Sequence, residues 1–339
     1  MDAFLGPPAP PLNLLWPSVP AAALALLLRF VCLRIFGDLG TRLASWLHGP
    51  QWKTHLKAHG PQAFAERCFY ALIHTICTIV GGRLCWSCGW LTTPGAFFFA
   101  MPWPHELPPA QLAATRAYYV LEGSLALEST GNLLRESLRA GPRKRDLMMV
   151  VHHAVTLLLI VASWKLGILE TGSVVLWLHA ASDVGIDLLK AADEIKWEAA
   201  LGPCWGLSVV GWVGFRFILL PYHLLRPGWH QISLIAFGVD CSPYPKCPPI
   251  WSGRRMQPEF IPGSTAWLGL LVLLALHAIW LKQILMKALP VLFPSMLSGG
   301  KSPDGASRAE LNLPDACAPG FVRDADAARS DSAKAKKRL

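Results

Sequence analysis

The chain has 339 residues, of which 53% are hydrophobic and only 16% are charged, and its formal net charge is +9. Soluble domains average about 25% charged residues, so this composition argues against a soluble fold. The positive charge lies mostly in connections and in the C-terminal tail, without the basic face of a nucleic-acid-binding module. These properties indicate an integral membrane protein whose basic loops set its orientation and contact anionic membrane lipid.

Apolar stretches recur along the chain at about the length that a helix needs to cross a bilayer. The stretch that contains Glu122 and Glu128 is the weakest, because carboxylates at membrane depth must face the bundle interior or a wet cavity. We predict an all-α, multi-pass membrane bundle with about seven transmembrane helices, at roughly 19–36, 64–84, 112–133, 147–167, 171–191, 203–225 and 264–289.

Three parts are expected along the chain. Residues 1–59 form an N-terminal segment with the first transmembrane helix, and residues 60–292 form the main membrane domain. Residues 293–339 are polar and lack periodicity, so they are expected to be a disordered, basic cytosolic tail.

Basic residues are concentrated in alternate connections. The third connection carries Arg143, Lys144 and Arg145, whereas the second, from Gly89 to Gln111, carries no lysine or arginine. Because positively charged loops stay in the cytosol, we predict a luminal N-terminus and a cytosolic C-terminus. The chain ends in KKRL, which matches a dilysine retrieval signal and predicts the endoplasmic reticulum membrane. The alternative is an ordinary basic tail end.

The cysteines show no zinc framework. Cys85 and Cys88 form a CxxC, but no thioredoxin-like pattern surrounds it, so redox chemistry is disfavoured. Cys241 and Cys247 bracket a short loop between the last two predicted helices. If that loop faces the oxidising lumen, we predict a disulfide between them; the alternative is two free thiols.

Two adjacent histidines, His152 and His153, lie about a turn and a half inside an apolar helix. They point about 100° apart, and burying both in a membrane is costly without polar partners. We therefore favour a functional role for the pair over a role in packing alone.

The following helix supplies candidate partners. His179, Asp183 and Asp187 recur at every fourth position and Lys190 follows, so all four fall near one stripe. A carboxylate against one imidazole nitrogen fixes the tautomer and raises the basicity of the other nitrogen. Such a pair suits a general base or a nucleophile in acyl transfer, which makes Asp183 the third candidate catalytic residue beside the histidine pair.

Other chemistries are disfavoured. The eleven histidines form none of the clusters typical of membrane di-iron enzymes, so no metal is expected. No GxSxG elbow and no nucleotide-binding glycine motif is present. Arg216, deep in the sixth predicted helix, requires an internal partner, and Glu122 or Glu128 is the expected one.

At these residues the sequence resembles the ceramide synthase family, the acyl-CoA-dependent sphingoid-base N-acyltransferases built on the TLC membrane domain. The resemblance covers about residues 60–230, with the expected spacing between the histidine pair and Asp183. Two positions depart from the family pattern: Ala180 stands where an Asp is usual, and Asp187 stands where a Glu is usual. The matching elements are Arg143-Lys144-Arg145-Asp146, His152-His153, Val155-Thr156, Ser163-Trp164, His179, Ser182-Asp183, Lys190 and Phe215-Arg216.

The resemblance implies that one histidine of the pair accepts the acyl group or deprotonates the amine, with Asp183 supporting it. Acyl-CoA and a sphingoid base are then the implied partners, with acyl-CoA as co-substrate and no cofactor, in a protein compatible with homo- or heterodimers. The alternative function, kept open by Ala180, is a non-catalytic TLC protein that binds, senses or moves lipid. The implied substrate-binding residues are Arg143, Lys144 and Arg145, facing the CoA phosphates, and Asp187, Lys190 and Arg216.

Overall fold

The computed structural model describes residues 12–56, 60–92, 107–140, 147–230 and 260–292, and the regular secondary structure in these ranges is helical. The predicted all-α membrane bundle is confirmed. The Cys241–Cys247 disulfide, the KKRL end and the tail at 293–339 lie outside the described residues. The long helices of the described ranges are α1 (Ser18–His48), α2 (Gly60–Ser87), α3 (Pro109–Ala140), α4 (Leu147–Lys165), α5 (Leu169–Glu194), α6 (Glu198–His230) and α7 (Phe260–Leu292).

Helix α3 is the most polar of these helices. In the described ranges, six helices are long and apolar enough to cross a membrane, and α3 is not among them. It nevertheless packs against α1, α2, α4 and α5, and its polar Ser124, Glu128 and Asn132 are buried. Polar side chains at membrane depth are tolerated when they face the bundle interior. We therefore treat α3 as a member of the membrane bundle.

Helix α5 is the centre of the bundle. It contacts α2, α3, α4 and α6. Of the residues in its apolar 18-residue stretch, 61% are buried, against 17% in the corresponding stretch of α1. Because protein surrounds α5 on several sides, the polar side chains along it must find their partners on neighbouring helices. Helix α1 instead exposes large apolar side chains such as Leu24, Leu27 and Ile35 on its outer face.

A tight turn joins α4 to α5. The backbone N–H of Ile168 donates to the Ser163 carbonyl at 3.0 Å, and Gly167 has a φ of 63°, a left-handed conformation that glycine adopts without steric cost. A tight turn therefore occupies the short gap between the helices predicted at 147–167 and 171–191. It makes the two helices antiparallel neighbours, so residues of α4 lie beside residues of α5.

Helix α6 changes its winding along its length. It is α-helical over Glu198–Gly211 and then makes wider π-helical turns over Trp212–Leu219 and Pro221–Leu225. Such turns are frequent at functional sites, and a proline removes a backbone donor from the helix. Arg216 lies in this region and is fully buried.

Gly185 lies at a close approach of α5 and α6. A Cβ atom there would lie 2.9 Å from the Cα and 3.0 Å from the backbone nitrogen of Ser208. Because backbone atoms cannot swing aside, Gly185→Ala should destabilise the fold by about 1–3 kcal/mol and lower the thermal unfolding midpoint in detergent. Gly206→Ala, in α6, is the control, because nothing lies within 4 Å of its added methyl group. Equal midpoints for the two variants would contradict this packing.

Candidate active site

A cavity opens among α2, α3, α4, α5 and α7, with a volume of about 1220 Å³ including its open edges. Leucines from α4, α5 and α7, among them Leu159, Leu176 and Leu270, form part of its wall. A mainly apolar pocket with a few convergent polar groups is typical of a small-molecule site. The ionisable groups among the lining residues include His74, Glu122, His152, His153, His179 and Asp183.

The predicted histidine pair faces this cavity. The rings of His152 and His153 lie 5.6 Å apart between centroids, and the ring of His152 packs at 5.2 Å from that of Trp280 on α7. His277 and His179 approach the same ring at 6.3 and 6.5 Å. Within the described ranges, no three His, Cys, Asp or Glu residues are placed to hold a metal ion.

Hydrogen bonds indicate which nitrogen of His153 carries the proton. The Thr130 hydroxyl donates its single hydrogen to the Ala126 carbonyl at 2.6 Å. It can therefore only accept from His153 Nδ1, 3.4 Å away. The lone pair then lies on Nε2, an atom without a hydrogen-bond partner among the described residues. His153 consequently presents a nitrogen that can act as a base or a nucleophile.

The carboxylate of Asp183 is paired with Arg216. Arg216 Nη2 hydrogen-bonds Asp183 Oδ1, and Arg216 Nε donates to Ser182 Oγ at 2.6 Å. The guanidinium also lies 3.9 Å from the centroid of the Trp212 ring. The expectation that Asp183 accepts a hydrogen bond from a histidine of the pair is therefore wrong among the described contacts. A buried guanidinium requires a counter-charge, and the π-helical turns of α6 present Arg216 to α5.

The expectation that Glu122 or Glu128 pairs with Arg216 is also wrong. Glu128 accepts from Arg29 Nη1 of α1 at 2.8 Å, and Arg29 Nη2 donates to Glu66 of α2 at 3.0 Å. This network ties α1 to α2 and α3. Arg29 was not predicted as a site residue, although an arginine inside the first apolar helix is itself a signal that a buried partner exists.

Asp187 pairs with His74, a residue that the sequence analysis also missed. Asp187 is fully buried, and its Oδ2 lies 2.7 Å from His74 Nδ1 of α2. The carboxylate–imidazole pair expected at His152 or His153 is thus present in the bundle, but its imidazole comes from another helix. A lone histidine inside an apolar helix was the available signal.

The predicted substrate-binding residues fall into two groups. Asp187, Lys190 and Arg216 are buried, but they are not among the described residues that line the cavity. The basic run 143–145 lies outside the described residues, immediately before α4 begins at Leu147. The structure therefore brings the histidine pair and Asp183 together around one cavity. Behind its lining, Asp187 contacts His74 and Arg216 contacts Asp183.

The fold and the cavity define a multi-pass helical membrane protein with an ionisable site inside its bundle. Residues 63–286 match the family described as TLC domain. The match covers more than half of the chain, and the chain belongs to this family. The domain match includes every helix of the bundle except α1 and the ends of α2 and α7.

Curated relatives agree with the resemblance found in the sequence. The chain is 28% identical to ceramide synthase hyl-2 of Caenorhabditis elegans over 52% of this chain and 49% of the relative. It is 28% identical to ceramide synthase LOH2 of Arabidopsis thaliana over 36% of this chain and 40% of the relative. It is 24% identical to ceramide synthase 3 of Mus musculus over 48% of this chain and 40% of the relative. The chain thus spans about half the length of these relatives or less.

The Arg216–Asp183 pair can be tested through stability. Arg216→Met should leave the buried Asp183 carboxylate without its counter-charge and cost about 3–5 kcal/mol. Adding Asp183→Asn removes the stranded charge, so the double variant should recover much of the lost stability. Thermal unfolding in detergent measures both effects. Arg34→Met is the matched control, because Arg34 is exposed on α1, and its midpoint should not change. A double variant no more stable than Arg216→Met would contradict the assigned pair.

Proposed function

We propose that the protein is an N-acyltransferase that joins a fatty acyl group from acyl-CoA to the amine of a sphingoid base, giving a ceramide or dihydroceramide. The observation that carries this proposal concerns His153, which lines a cavity with apolar walls. Its Nε2 has no hydrogen-bond partner among the residues that the structure describes. Relatives named ceramide synthases support the same reaction class.

The chemistry needs little beyond a positioned base. A sphingoid ammonium must lose a proton before it attacks, and a thioester is reactive enough to acylate an amine. In the proposal, His153 Nε2 acts as the base or as the acyl acceptor, and His152 completes the pair beside it. Asp183 lines the cavity, Arg216 holds its Oδ1, and in the proposal its carboxylate orients the polar head of the substrate beside the histidine pair. Acyl-CoA serves as co-substrate, without a metal or other cofactor.

Different parts of the protein would bind the fatty acyl chain and the CoA group of the substrate. Leu159, Leu176 and Leu270 provide apolar surface for a fatty acyl chain. The basic run 143–145 precedes α4, and arginine and lysine side chains there would meet the phosphates of CoA. We propose that the buried Asp187, Lys190 and Arg216 act on the substrates indirectly, by fixing the helices that form the cavity.

The proposal includes a location and an orientation. The proposed location is an endoplasmic reticulum membrane, with the N-terminus in the lumen and the C-terminus in the cytosol, and the alternation of basic connections supports this orientation. In this orientation the run 143–145 faces the cytosol and is accessible to acyl-CoA. The membrane itself delivers the sphingoid base.

Substitution of the histidine pair and of Asp183 tests the proposal. His152→Ala, His153→Ala and Asp183→Ala should each reduce N-acylation at least about a hundredfold, the scale of losing a positioned acid–base group. The assay is mass spectrometry of N-acyl product, in microsomes from cells that lack their own ceramide synthases. His223→Ala is the control, because His223 lies on α6 and is not among the described cavity-lining residues. Near-wild-type activity of a His152→Ala/His153→Ala variant would refute the assignment.

The same assay separates the enzyme from a lipid-binding protein. Ala180 lines the cavity where the family pattern has an Asp, and this position favours the non-catalytic alternative. Purified wild-type protein that retains a bound sphingoid lipid but forms no product would support lipid binding without chemistry. Under the enzymatic proposal, wild type is active and Ala180→Asp has similar or higher activity.

A further inference from the structure

We propose that His74, held by Asp187, is a second acid–base residue of the cavity and accepts the proton that the lipid amine must lose. This inference rests on the proposed acyl transfer. It adds to the reaction a residue from α2, on a different wall of the cavity from the histidine pair of α4.

The geometry of the His74–Asp187 pair suits a proton acceptor. Nδ1 of His74 lies 2.7 Å from Asp187 Oδ2, and a carboxylate accepts from an N–H, so the proton of the neutral ring lies on Nδ1. In this neutral form, which His74 regains each time its proton leaves to solvent, Nε2 holds the lone pair. The ring lines the cavity and its side chain is 19% exposed, whereas Asp187 is 0% exposed. A substrate can therefore reach His74 while protein encloses its carboxylate partner.

The charges around His74 come from three helices. Asp183 and Asp187 of α5 and Glu122 of α3 act on it electrostatically, and on its own helix the Tyr70 ring stacks at 6.2 Å between centroids. Arg29 of α1 is directed instead to its own carboxylate partners. A proton on His74 thus becomes half of an ion pair.

The histidine pair of α4 differs in this respect. Neither His152 nor His153 hydrogen-bonds a carboxylate among the described residues, and His153 Nδ1 faces the Thr130 hydroxyl instead. An isolated cation at membrane depth is costly, whereas a paired one is tolerated. His74 is therefore the better place for a proton to rest during turnover.

The proposed step conserves atoms and charge. The lipid ammonium gives one proton to Nε2 of His74, and the resulting amine lone pair forms a C–N bond to the thioester carbonyl carbon. The C–S bond breaks, and the sulfur leaves as a thiolate. The second proton of the nitrogen passes through His153 Nε2 to that thiolate and gives CoA as the thiol. The proton on His74 then leaves to solvent, so the products are the amide, CoA and one proton.

His74→Gln tests this role in the full-length protein in lipid nanodiscs. Glutamine keeps an N–H donor for Asp187 but cannot take up a proton. At neutral pH the rate of N-acylation should fall about a hundredfold. The deficit should shrink as pH rises, because the fraction of free amine grows about tenfold per pH unit below the amine pKa. With an alkoxyamine analogue of the sphingoid base, which is neutral at neutral pH, the variant should be close to wild type.

Two further variants separate chemistry from folding. Asp187→Asn should give the same pH-dependent deficit at smaller magnitude, and His223→Gln should match wild type. If His74→Gln or Asp187→Asn lost activity equally toward both amines at every pH, the role of the pair would be structural only, and the inference would be overturned. Wild-type rates for His74→Gln would also overturn it while leaving the proposed function intact. A wild-type protein inert toward both amines would instead refute the proposed function, and this inference with it.

Discussion

The bundle depends on pairing buried arginines with carboxylates from neighbouring helices, because lipid offers no counter-charge. Arg29 meets Glu66 and Glu128 and so fixes α1 against α2 and α3. Arg216 meets Asp183 and fixes α6 against α5. A buried ion pair is weak evidence for net stability, but breaking one is costly. These pairs therefore specify which helices are neighbours more than they add to the free energy of unfolding.

This constraint also explains where the site lies. The guanidinium groups of Arg29 and Arg216 bind Glu66, Glu128 and Asp183. Among the described residues, the histidines at the cavity keep ring nitrogens without hydrogen-bond partners, as at His153 Nε2 and His179 Nε2. A buried polar atom without a partner costs free energy unless water or a ligand satisfies it. The cavity is thus open to the polar head of a lipid substrate, while its leucine walls match the chain. The same arrangement serves acid–base chemistry, because the rings can exchange protons.

Much of the fold and of the candidate site could be predicted from the sequence, and the rest depends on how the helices pack. Apolar runs identified the helices, including α3, whose two glutamates made its run the weakest. Polar residues that are costly at membrane depth identified the histidine pair and Asp183. The partner of each polar residue could not be predicted, because periodicity defines a face of a helix but not the helix opposite it. Asp187 therefore met His74 instead of the α4 pair. The π-helical turns of α6, invisible in the hydropathy pattern, present Arg216 to Asp183.

Photolabelling tests most directly whether this cavity receives the acyl chain. The probe is an acyl-CoA with a diazirine near the methyl end of its chain, and the labelled peptides are identified by mass spectrometry. The account predicts labels on the leucine wall, around Leu159, Leu176 and Leu270, and their suppression by excess unlabelled acyl-CoA. Labels confined to the exposed apolar face of α1, unaffected by the competitor, would contradict it.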